Sequence, residues 1–406
     1  MKTLANIDIL EPAFIANPYP TFKLLRTESP VHPITLRDGS RAWLITRYDD
    51  AVLVMQDRRF VKDLRQILTP EEVAKMPYQQ ELLSLLSNTM LDFDPPNHTR
   101  LRVLVQKAFS PRMIEQLDSR IQEIADGLLD TVEHRDKMDL IEDYAHQLPI
   151  VVIAEMLGVP VEDRDKFRYW SNEVIADDMS QENQQHLIEV TREFTDYFKE
   201  MFAQRRINPK DDLISALVQA EDTGDKLSEK ELYSMVLLLL VAGHETTVNL
   251  ITNGMLALFQ HPEQLALLKQ YPELIDSAVE EFLRYDGSVE YATFRYASED
   301  VELRGTRIPR GEQVMVVLAS ANRDERKFSN PDKLDIQRTE NRHLAFGHGI
   351  HYCLGASLAR MEGKIAINTL LRRIPNIDLN IFPSELQWRP SLVARGVMSL
   401  PVKFNR

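Results

Sequence analysis

The sequence predicts a mainly α protein with small β-sheets (an α+β arrangement), folded as a single domain over residues 1–406. Helical periodicity dominates the chain from about residue 98 to residue 373. Strand-like alternation is confined to short runs nearer the two ends of the sequence. No Pro/Gly/Ser-rich linker, internal repeat or low-complexity tract divides the chain. With 44% hydrophobic residues over this length, one large core is favoured.

The predicted helices are closed by prolines, glycines or capping residues where these occur. In chain order they are residues 20–28, 49–56, 101–109, 113–133, 144–157, 162–177, 184–206, 210–220, 228–259, 262–271, 272–285 and 356–373. The longest of them, 228–259, opens with Ser228 and Glu231, whose spacing is that of a capping box. We expect this helix to lie at the centre of the molecule.

Short strands are predicted before and after the helical region. They are residues 31–36, 42–46, 289–296, 301–303, 307–308 and 313–318, with further short pieces in the last 30 residues. The turn residues 38–40 between the first two predict a hairpin. Residues 66–94 are predicted as a long loop with a helical turn at 81–86, and 321–342 as polar turns.

Charge and composition exclude several classes of protein. The net charge of -14 argues against nucleic acid as a partner. The N-terminus has no basic segment followed by an apolar core, so we expect no signal peptide. The longest apolar run, residues 235–243, is far shorter than the ~18 residues of a membrane span. A single cysteine and no export signal predict a cytoplasmic protein.

That cysteine, Cys353, lies in the string Phe-Gly-His-Gly-Ile-His-Tyr-Cys-Leu-Gly, residues 346–355. It has no second cysteine for an intramolecular disulfide or a multi-cysteine zinc site. Gly347, Gly349 and Gly355 permit positive φ or a close approach to a flat ligand. The N-terminus of helix 356–373 would stabilise a thiolate. Cys353 is therefore a buried core thiol, a single nucleophile or a single metal ligand.

A second motif, Ala-Gly-His-Glu-Thr-Thr, interrupts the apolar run of the longest helix at residues 242–247. An acid and two hydroxyls are costly inside such a helix unless they are paired or wetted. A kinked helix with satisfied polar groups is the alternative to a functional role. Ala242 and Leu238 share one helical face with Thr246, which suits an apolar ligand.

Two further motifs have plain structural interpretations when taken alone. Glu281 and Arg284 are three residues apart on one helical face, as in a solvated ion pair. His98 and Arg102 are four apart at a helix start, where Asn97 is the predicted cap. Neither motif would by itself indicate a function.

The four motifs together resemble those of the cytochrome P450 monooxygenases, in their order and spacing along the whole chain. Residues 346–355 resemble the haem-thiolate loop, residues 281–284 the Glu-x-x-Arg pair, and residues 242–247 the oxygen-activation segment. The chain is most similar to the soluble bacterial type and, within it, to the subfamily that oxidises polyketides and macrolides. The resemblance implies the P450 fold, with the long helix over a haem.

The resemblance also implies roles for individual residues. Haem b would have Cys353 as axial ligand, beside the loop residues Phe346, Gly347 and Gly355 and the helix residue Ala242. Haem propionates would be bound by His98, Arg102, Arg295 and His351. Thr246 and Glu245 would handle protons during activation of O2. Glu281, Arg284 and Arg338 would form a structural triad behind the cysteine loop.

The implied reaction is insertion of one oxygen atom from O2 into a C–H bond of an apolar small molecule. Candidate substrates are a polyketide or macrolide, a statin-like molecule, a terpenoid, a steroid or a fatty acid. Candidate pocket residues come from four segments of the chain. They are Met90, Leu91, Leu238, Val241, Val289, Tyr291, Ala292, Thr293, Leu392 and Val393. Glu290 is polar for such a wall, and either faces away from the substrate or bonds a substrate hydroxyl.

Electrons would come from a ferredoxin or flavodoxin with an NAD(P)H-dependent reductase, and we expect a monomer. Six basic residues on the helices expected near the cysteine side are a candidate docking face for an acidic donor. They are Arg100, Lys107, Arg112, Arg360, Lys364 and Arg372. Ordinary helix-surface charge is the alternative interpretation.

Three other functions compete with a monooxygenase. A peroxide-driven haem-thiolate oxidase lacks the acid–alcohol pair that Glu245 and Thr246 supply here. A non-catalytic haem sensor would not need a proton relay. A thiol hydrolase using Cys353 and His351 would leave residues 242–247 unexplained. A red-shifted Soret band of the reduced carbon monoxide complex would distinguish thiolate-ligated haem from the hydrolase.

Overall fold

The structure is a computed structural model, and it describes residues 4, 7–37, 39–73, 85, 89–109, 111–175, 181–222 and 225–405. The chain forms two compact units. The first comprises residues 1–67, 121–148 and 246–406, and the second comprises residues 68–120 and 149–245. The boundary near residue 245 falls inside one continuous helix.

Helices dominate the described residues, as predicted. The α-helices are Pro12–Ala16, Tyr19–Glu28, Tyr48–Gln56, Pro70–Val73, Asn97–Ala108, Pro111–Gln116, Asp118–Asp130, Gln147–Leu157, Arg164–Ile175, Gln181–Ile207, Leu213–Gln219, Glu229–Gln260, Pro262–Gln270, Ile275–Asp286, Leu318–Ala321 and Ala356–Arg373. We call Glu229–Gln260 the central helix, Ile275–Asp286 the Glu-x-x-Arg helix and Ala356–Arg373 the cysteine helix. Single turns of 3₁₀ or π helix lie at Leu64–Gln66, Met90–Asp92, Ile141–Ala145, Val161–Asp163, Pro272–Leu274, Gly349–His351 and Pro383–Glu385.

The strands are short and form small sheets. They are β1 Val31–Thr35, β2 Arg41–Ile45, β3 Phe60–Val61, β4 Lys137–Asp139, β5 Glu221–Asp222, β6 Asp225–Lys226, β7 Arg295–Ala297, β8 Val301–Leu303, β9 Thr306–Ile308, β10 Gln313–Val316, β11 Asn376–Leu379 and β12 Pro401–Asn405. The largest sheet has the order β1-β2-β10-β7-β3, in which only the β2–β10 pairing is parallel. The predicted hairpin is β1–β2, with Val31 opposite Ile45.

Each unit has its own apolar core. In the first unit, two clusters pack against the largest sheet. One contains Trp43, Val54 and Ala292, and the other contains Phe22 and Leu25. In the second unit, aromatic rings from two helices pack against each other in tilted or edge-to-face pairs: Phe167, Trp170, Phe194, Tyr197, Phe198 and Phe202. Such rings bury a large apolar area per residue.

The central helix is long and apolar enough to cross a membrane by length and composition alone. Within its most apolar window, 61% of the residues are buried in the protein. A helix that packs inside a folded core has this same composition. The predicted capping box is present, because Ser228 N–H donates to Glu231 Oε2 over 2.8 Å and Glu231 N–H to Ser228 Oγ over 3.3 Å.

Several predicted boundaries are wrong. The helix predicted at 113–133 is two helices that meet near Leu117. The strand predicted at 289–296 is regular only in β7, because its pairing partner changes along the run. Val289 bridges to Ala394, whereas Tyr291 bridges to Val317. The predicted helical turn at 81–86 lies, apart from Leu85, outside the described residues.

Candidate active site

Cys353 lies in a loop closed by backbone hydrogen bonds just before the cysteine helix. Its N–H donates to the carbonyl of Phe346 over 2.9 Å. Gly347 and Gly349 have φ of 72° and 75°, which only glycine adopts without strain. A Cβ on Gly349 would lie 2.8 Å from the Met55 carbonyl oxygen. The loop therefore needs both glycines, and it leaves Cys353 exposed at the start of the cysteine helix.

Gly355 differs from the other two glycines of the motif. Its φ is -85°, and a Cβ built there meets no atom within 4 Å. Positive φ is therefore not the reason for this glycine. The open space above it is compatible with the close approach of a flat ligand.

Glu281, Arg284 and Arg338 are brought together in the first unit. Arg284 donates two hydrogen bonds to the Glu281 carboxylate, from Nε and Nη2, both over 2.8 Å. Arg338 Nε donates to the same carboxylate over 3.1 Å. The Glu281 and Arg284 side chains are fully buried. Asn341 Nδ2 and the Asp335 N–H also donate to this carboxylate. The pair is thus part of a buried hydrogen-bonded network rather than a solvated surface contact.

The remaining hydrogen bonds of Arg284 show what this network holds in place. Its guanidinium donates to the carbonyls of Asn322, Pro331 and Lys333. All three lie in the polar turns that precede the cysteine loop. The network therefore fixes the path of the chain toward Cys353.

The central helix carries an accessible stripe in its middle. Ala242 is exposed and its neighbours on the stripe are partly exposed, although most of the helix is buried. The stripe consists of Leu238, Val241, Ala242, Glu245 and Thr246. Their spacing of 3, 4, 7 and 8 residues places them on one helical face. An apolar face that ends in an acid and an alcohol suits a flat ligand with reactive chemistry at one side.

His244 and Thr247 lie off this stripe and are buried. His244 Nδ1 lies 3.3 Å from Ser171 Oγ, on a neighbouring helix of the second unit. His244 is therefore set apart from the ligand-facing residues of the stripe.

His98 and Arg102 share one face of helix Asn97–Ala108 in the second unit. His98 is 2% exposed, and burial, helped by the charge of Arg102, lowers the pKa of its imidazole. The predicted cap at Asn97 is wrong, because the helix already includes this residue and no side chain caps it.

Arg295 and His351 lie in the first unit. Arg295 is 3% exposed in β7, and its Nη1 donates to the Thr293 carbonyl over 3.1 Å. His351 ends the 3₁₀ turn of the cysteine loop and is half-buried. A buried guanidinium and an imidazole are the donors that a carboxylate-bearing ligand needs.

Two chain segments that supply predicted pocket residues pair with each other in the first unit. Glu290 N–H donates to the Val393 carbonyl over 2.9 Å, and Arg395 N–H to the Ser288 carbonyl over 2.8 Å. Asn253 Nδ2 of the central helix donates to the Arg395 carbonyl over 2.9 Å. These bonds fix the segment around residues 391–396 against residues 288–290.

Gly396 ends that segment in direct contact with the central helix. A Cβ on Gly396 would lie 2.1 Å from Asn249 Oδ1, too close for any atom. The φ of Gly396 is not in the left-handed region. Close packing, rather than backbone freedom, therefore requires glycine at this position.

The predicted pocket residues differ in exposure. Met90 and Ala292 are buried, Leu91, Val289, Thr293 and Leu392 are half-buried, and Val393 is exposed. Tyr291 is 1% exposed and packs its ring edge-on against Phe22, with centroids 6.4 Å apart. We therefore withdraw Tyr291 from the predicted substrate contacts, because its ring belongs to the core.

Glu290 is likewise buried, and it is engaged by an arginine. Its carboxylate lies 3.6 Å from Arg395 Nη1, and it is 7% exposed. Arg395 itself is held by Asp286 through Nε over 2.5 Å and by the Ile15 carbonyl over 2.8 Å. The sequence offered no signal for this cluster, because its members are far apart along the chain.

The proposed basic docking face is largely neutralised by carboxylates. Four of its members form ion pairs: Arg100 with Asp225 and Glu231, Arg360 with Glu280, Lys364 with Asp276, and Arg372 with Asp126. The side chain of Arg112 lies outside the described part of the chain. Four of the six predicted residues are therefore paired with carboxylates, and the docking face itself stays a prediction.

A family model described as Cytochrome P450 matches residues 52–375, well over half of the chain. The chain belongs to the cytochrome P450 family. Members of this family hold haem through a cysteine thiolate and use O2. Because Cys353 is the only cysteine in the sequence, it is the axial ligand of this P450.

Known P450s match this one over nearly their whole length. It is 47% identical to the polyketide biosynthesis cytochrome P450 PksS of Bacillus subtilis, over 97% of both chains. The solved structure of PksS superposes with a TM-score of 0.92, covering 98% of this chain and 100% of that one. The cytochrome P450 monooxygenase PikC of Streptomyces venezuelae is 46% identical over 99% of this chain and 94% of its own.

A third relative has been solved with a fatty acid. The myxobacterial P450 CYP267B1 in complex with myristic acid is 46% identical, with a TM-score of 0.91 over 98% of this chain and 99% of that one. The predicted P450 fold is thus confirmed, and this protein is a P450 monooxygenase. Within the first unit, the glycine loop around Cys353 and the donors Arg295 and His351 have the chemistry that a haem requires.

Proposed function

We propose that this P450 hydroxylates an apolar small molecule of the polyketide or macrolide type. The observation that carries the proposal is the accessible stripe of the central helix, in which three apolar side chains adjoin Glu245 and Thr246. An apolar face selects an apolar substrate, and the acid–alcohol pair serves proton transfer. The name of PksS, a polyketide biosynthesis cytochrome P450, supports the substrate class. Statin-like molecules, terpenoids, steroids and fatty acids are the further candidates.

Four residues are proposed to bind the haem propionates: His98, Arg102, Arg295 and His351. Their support is chemical, since they offer two guanidinium groups and two imidazoles for two carboxylates. Burial of Arg295 and His98 strengthens such hydrogen bonds, because bulk water does not compete for the donors. Phe346, Gly347, Gly355 and Ala242 are proposed to line the haem without binding it through polar groups.

The haem, when bound, supplies the redox chemistry by which O2 is activated. The chain itself supplies control of protons and water. We propose that Thr246 holds a proton at its Oγ1 for delivery, and that the Glu245 carboxylate replenishes this proton from solvent. Glu245 is half-buried, which leaves its carboxylate access to water.

Nine residues are kept as proposed substrate contacts. In the first unit they are Val289, Ala292, Thr293, Leu392 and Val393, and in the second unit they are Met90, Leu91, Leu238 and Val241. Eight of them are apolar, which matches an apolar substrate. The hydroxyl of Thr293 is the one side-chain hydrogen-bonding group among them.

Electrons are proposed to come from a separate ferredoxin or flavodoxin with an NAD(P)H-dependent reductase, in the cytoplasm. A single cysteine does not suffice for an iron–sulfur cluster, so this chain does not carry its own ferredoxin centre. Four of the six basic residues of the predicted docking face are paired with carboxylates. We therefore propose that docking of the electron donor depends more on shape and apolar contact than on net positive charge.

The test of this function has two stages. Purified holoenzyme is first titrated with macrolides, terpenoids, sterols, statins and fatty acids, and compounds that shift the Soret band toward the high-spin form are selected. Each is then incubated with a surrogate ferredoxin, a reductase and NADPH under ¹⁸O₂. We expect a polyketide or macrolide product that carries one ¹⁸O atom, and none from Cys353→Ala.

Two results would contradict the proposal. Product formed only with added hydrogen peroxide, and not with reductant and O2, would indicate a peroxide-driven oxidase. Selection of another class, with no macrolide or polyketide turned over, would refute the substrate assignment while leaving the reaction type intact.

A further inference from the structure

We propose that Arg360 is a positioning residue for the Cys353 thiolate. Clamped by Glu280, its guanidinium lies against Phe346 and so fixes the loop that presents the sulfur. From the sequence, Arg360 was expected on a docking face for a redox partner. Its contacts in the structure point inward to the loop instead.

The first step is the clamp between the Glu-x-x-Arg helix and the cysteine helix. Arg360 Nε donates to Glu280 Oε1 over 2.5 Å, and Nη2 donates to Oε2 over 2.9 Å. This two-pronged geometry fixes the plane of the guanidinium as well as its distance. Both side chains are about a quarter exposed, at 27% and 28%. Arg360 is therefore oriented, unlike a flexible surface cation.

The second step is the contact between the clamped guanidinium and the loop. The central carbon of the Arg360 guanidinium lies 4.4 Å from the centre of the Phe346 ring, in a cation–π contact. The carbonyl of Phe346 accepts the Cys353 N–H over 2.9 Å. Holding the ring thus holds the residue whose backbone is bonded to the cysteine.

The third step is a second donor to the same carboxylate, from the chain that enters the loop. His343 Nε2 lies 3.1 Å from Glu280 Oε2, and His343 Nδ1 accepts the Ala345 N–H over 3.2 Å. This pair of bonds places the proton on Nε2, so the imidazole donates to Glu280. Glu280 therefore ties together a residue before the loop and a residue after it.

Glu280 remains charged at working pH, which the clamp requires. Burial alone would raise its pKa, but the hydrogen bonds from His343 and Arg360 lower the pKa of Glu280 to about 2. Its neighbour Glu281 faces the buried triad. Two consecutive acids on one helix thus hold two different segments: Glu281 holds the polar turns, and Glu280 holds the cysteine loop.

The experiment uses four variants of the holoenzyme: Arg360→Met, Arg360→Lys, Glu280→Gln and the Arg360/Glu280 double variant. Arg372→Met is the matched control, since Arg372 is on the same helix and pairs with Asp126 over 3.1 Å. The readouts are the Fe–S stretching band by resonance Raman, the reduction potential, and the loss of the red-shifted band of the reduced carbon monoxide complex.

We expect Arg360→Met and Glu280→Gln each to shift or broaden the Fe–S band. In both variants, the reduced carbon monoxide complex should lose its red-shifted band roughly tenfold faster than in wild type. This factor corresponds to the loss of one charge-assisted hydrogen bond. The double variant is no worse than the worse single variant, because both act through one clamp. Arg360→Lys keeps the positive charge but lacks the two-pronged guanidinium. We expect its reduction potential to lie closer to the wild-type value than its Fe–S band does.

Two outcomes overturn the proposal. One is an Fe–S band and potential in Arg360→Met equal to those of Arg372→Met. The other is a variant whose only defect is slower reduction by ferredoxin, which would return Arg360 to the docking face. If Arg360→Met does not fold, Glu280→Gln decides by the same comparison, since glutamine keeps the size of the side chain.

Discussion

Glu290 is a buried carboxyl whose protonation state is set by competing neighbours. Burial is the main cause that raises its pKa, and the charge of Arg395 only partly offsets it. The negative charge of Asp286 also raises the pKa, and the net pKa of Glu290 is about 7. The folded protein thus binds a proton at Glu290 that the unfolded chain, with an ordinary pKa of 4.5, has released.

Replacement of Glu290 with Gln tests this directly. Between about pH 4.5 and pH 7 the folded state binds more protons than the unfolded state, so wild-type stability falls as pH rises through this window. Glu290→Gln does not show this fall in stability, because glutamine has no proton to release in this pH range. Relative to wild type, we expect the free energy of unfolding of Glu290→Gln to rise by up to about 3 kcal/mol from pH 5 to pH 7.5 and then to level off. The difference in melting temperature between the two proteins should follow the same course.

The control for this measurement is Glu299→Gln, at an exposed glutamate outside the cluster. Its melting temperature should follow that of wild type at every pH. A Glu290→Gln curve parallel to wild type between pH 5 and pH 8 would show that Glu290 is ionised throughout.

At the level of single residues, the sequence predicted what short motifs contain. Cys353, the Glu281–Arg284 pair and the contact of Arg338 with it follow from spacing and resemblance. Glu280, His343 and Arg360 were not predicted as a unit, because nothing in their spacing along the chain brings them together. Only the packing of the Glu-x-x-Arg helix against the cysteine helix does so.

The central helix shows how one element combines packing with chemistry. Its stripe of accessible residues ends in Glu245 and Thr246, while His244 and Thr247 on other sides are buried. The α-helical pattern continues without a break through this region. The position of Thr246 on the stripe, rather than a kink of the helix, distinguishes it from Thr247.

Thr246→Ala should separate electron use from product formation. The variant lacks the hydroxyl proposed to deliver protons, so we expect NADPH consumption to continue while product per NADPH falls roughly tenfold or more and peroxide rises. Thr252→Ala is the control, because Thr252 is a buried hydroxyl of the same helix that bonds the Val248 carbonyl. An unchanged ratio of product to NADPH in Thr246→Ala would refute the role of Thr246.

Elements with strong apolar periodicity were predicted best. The cysteine helix has the predicted limits, because Gly355 precedes it and apolar residues continue at helical spacing to Arg373. The run 289–296 was not predicted well, because its pairing partner changes from the 391–396 segment to β10 and its neighbours. Such a change depends on tertiary structure and leaves no local pattern.

For the whole molecule, the fold class follows from helix content and short terminal strands. The structure divides the chain into two compact units where the sequence shows no linker. No composition change was available to predict this, since the division passes through a continuous helix. The prediction of a single domain over residues 1–406 therefore stays a prediction.

Haem removal should lower the stability of the whole protein. A ligand that binds only the folded state stabilises it in proportion to the logarithm of its concentration over Kd, about 4 kcal/mol at a thousandfold excess. We expect haem-free protein to melt several degrees lower by differential scanning fluorimetry, and added haem to restore the transition. Cys353→Ala should recover only part of this gain, and equal melting temperatures with and without haem would contradict the prediction.

The close contact between Gly396 and Asn249 has a consequence for directed evolution of substrate range. Leu392 and Val393 lie three to four residues before a point where even a methyl group collides with the central helix. Randomising those two positions changes side chains on a segment whose far end stays fixed. Randomising Gly396 would instead displace the segment and the residues it carries. A library that spares Gly396 and Arg395 should therefore contain a larger fraction of folded variants with altered selectivity.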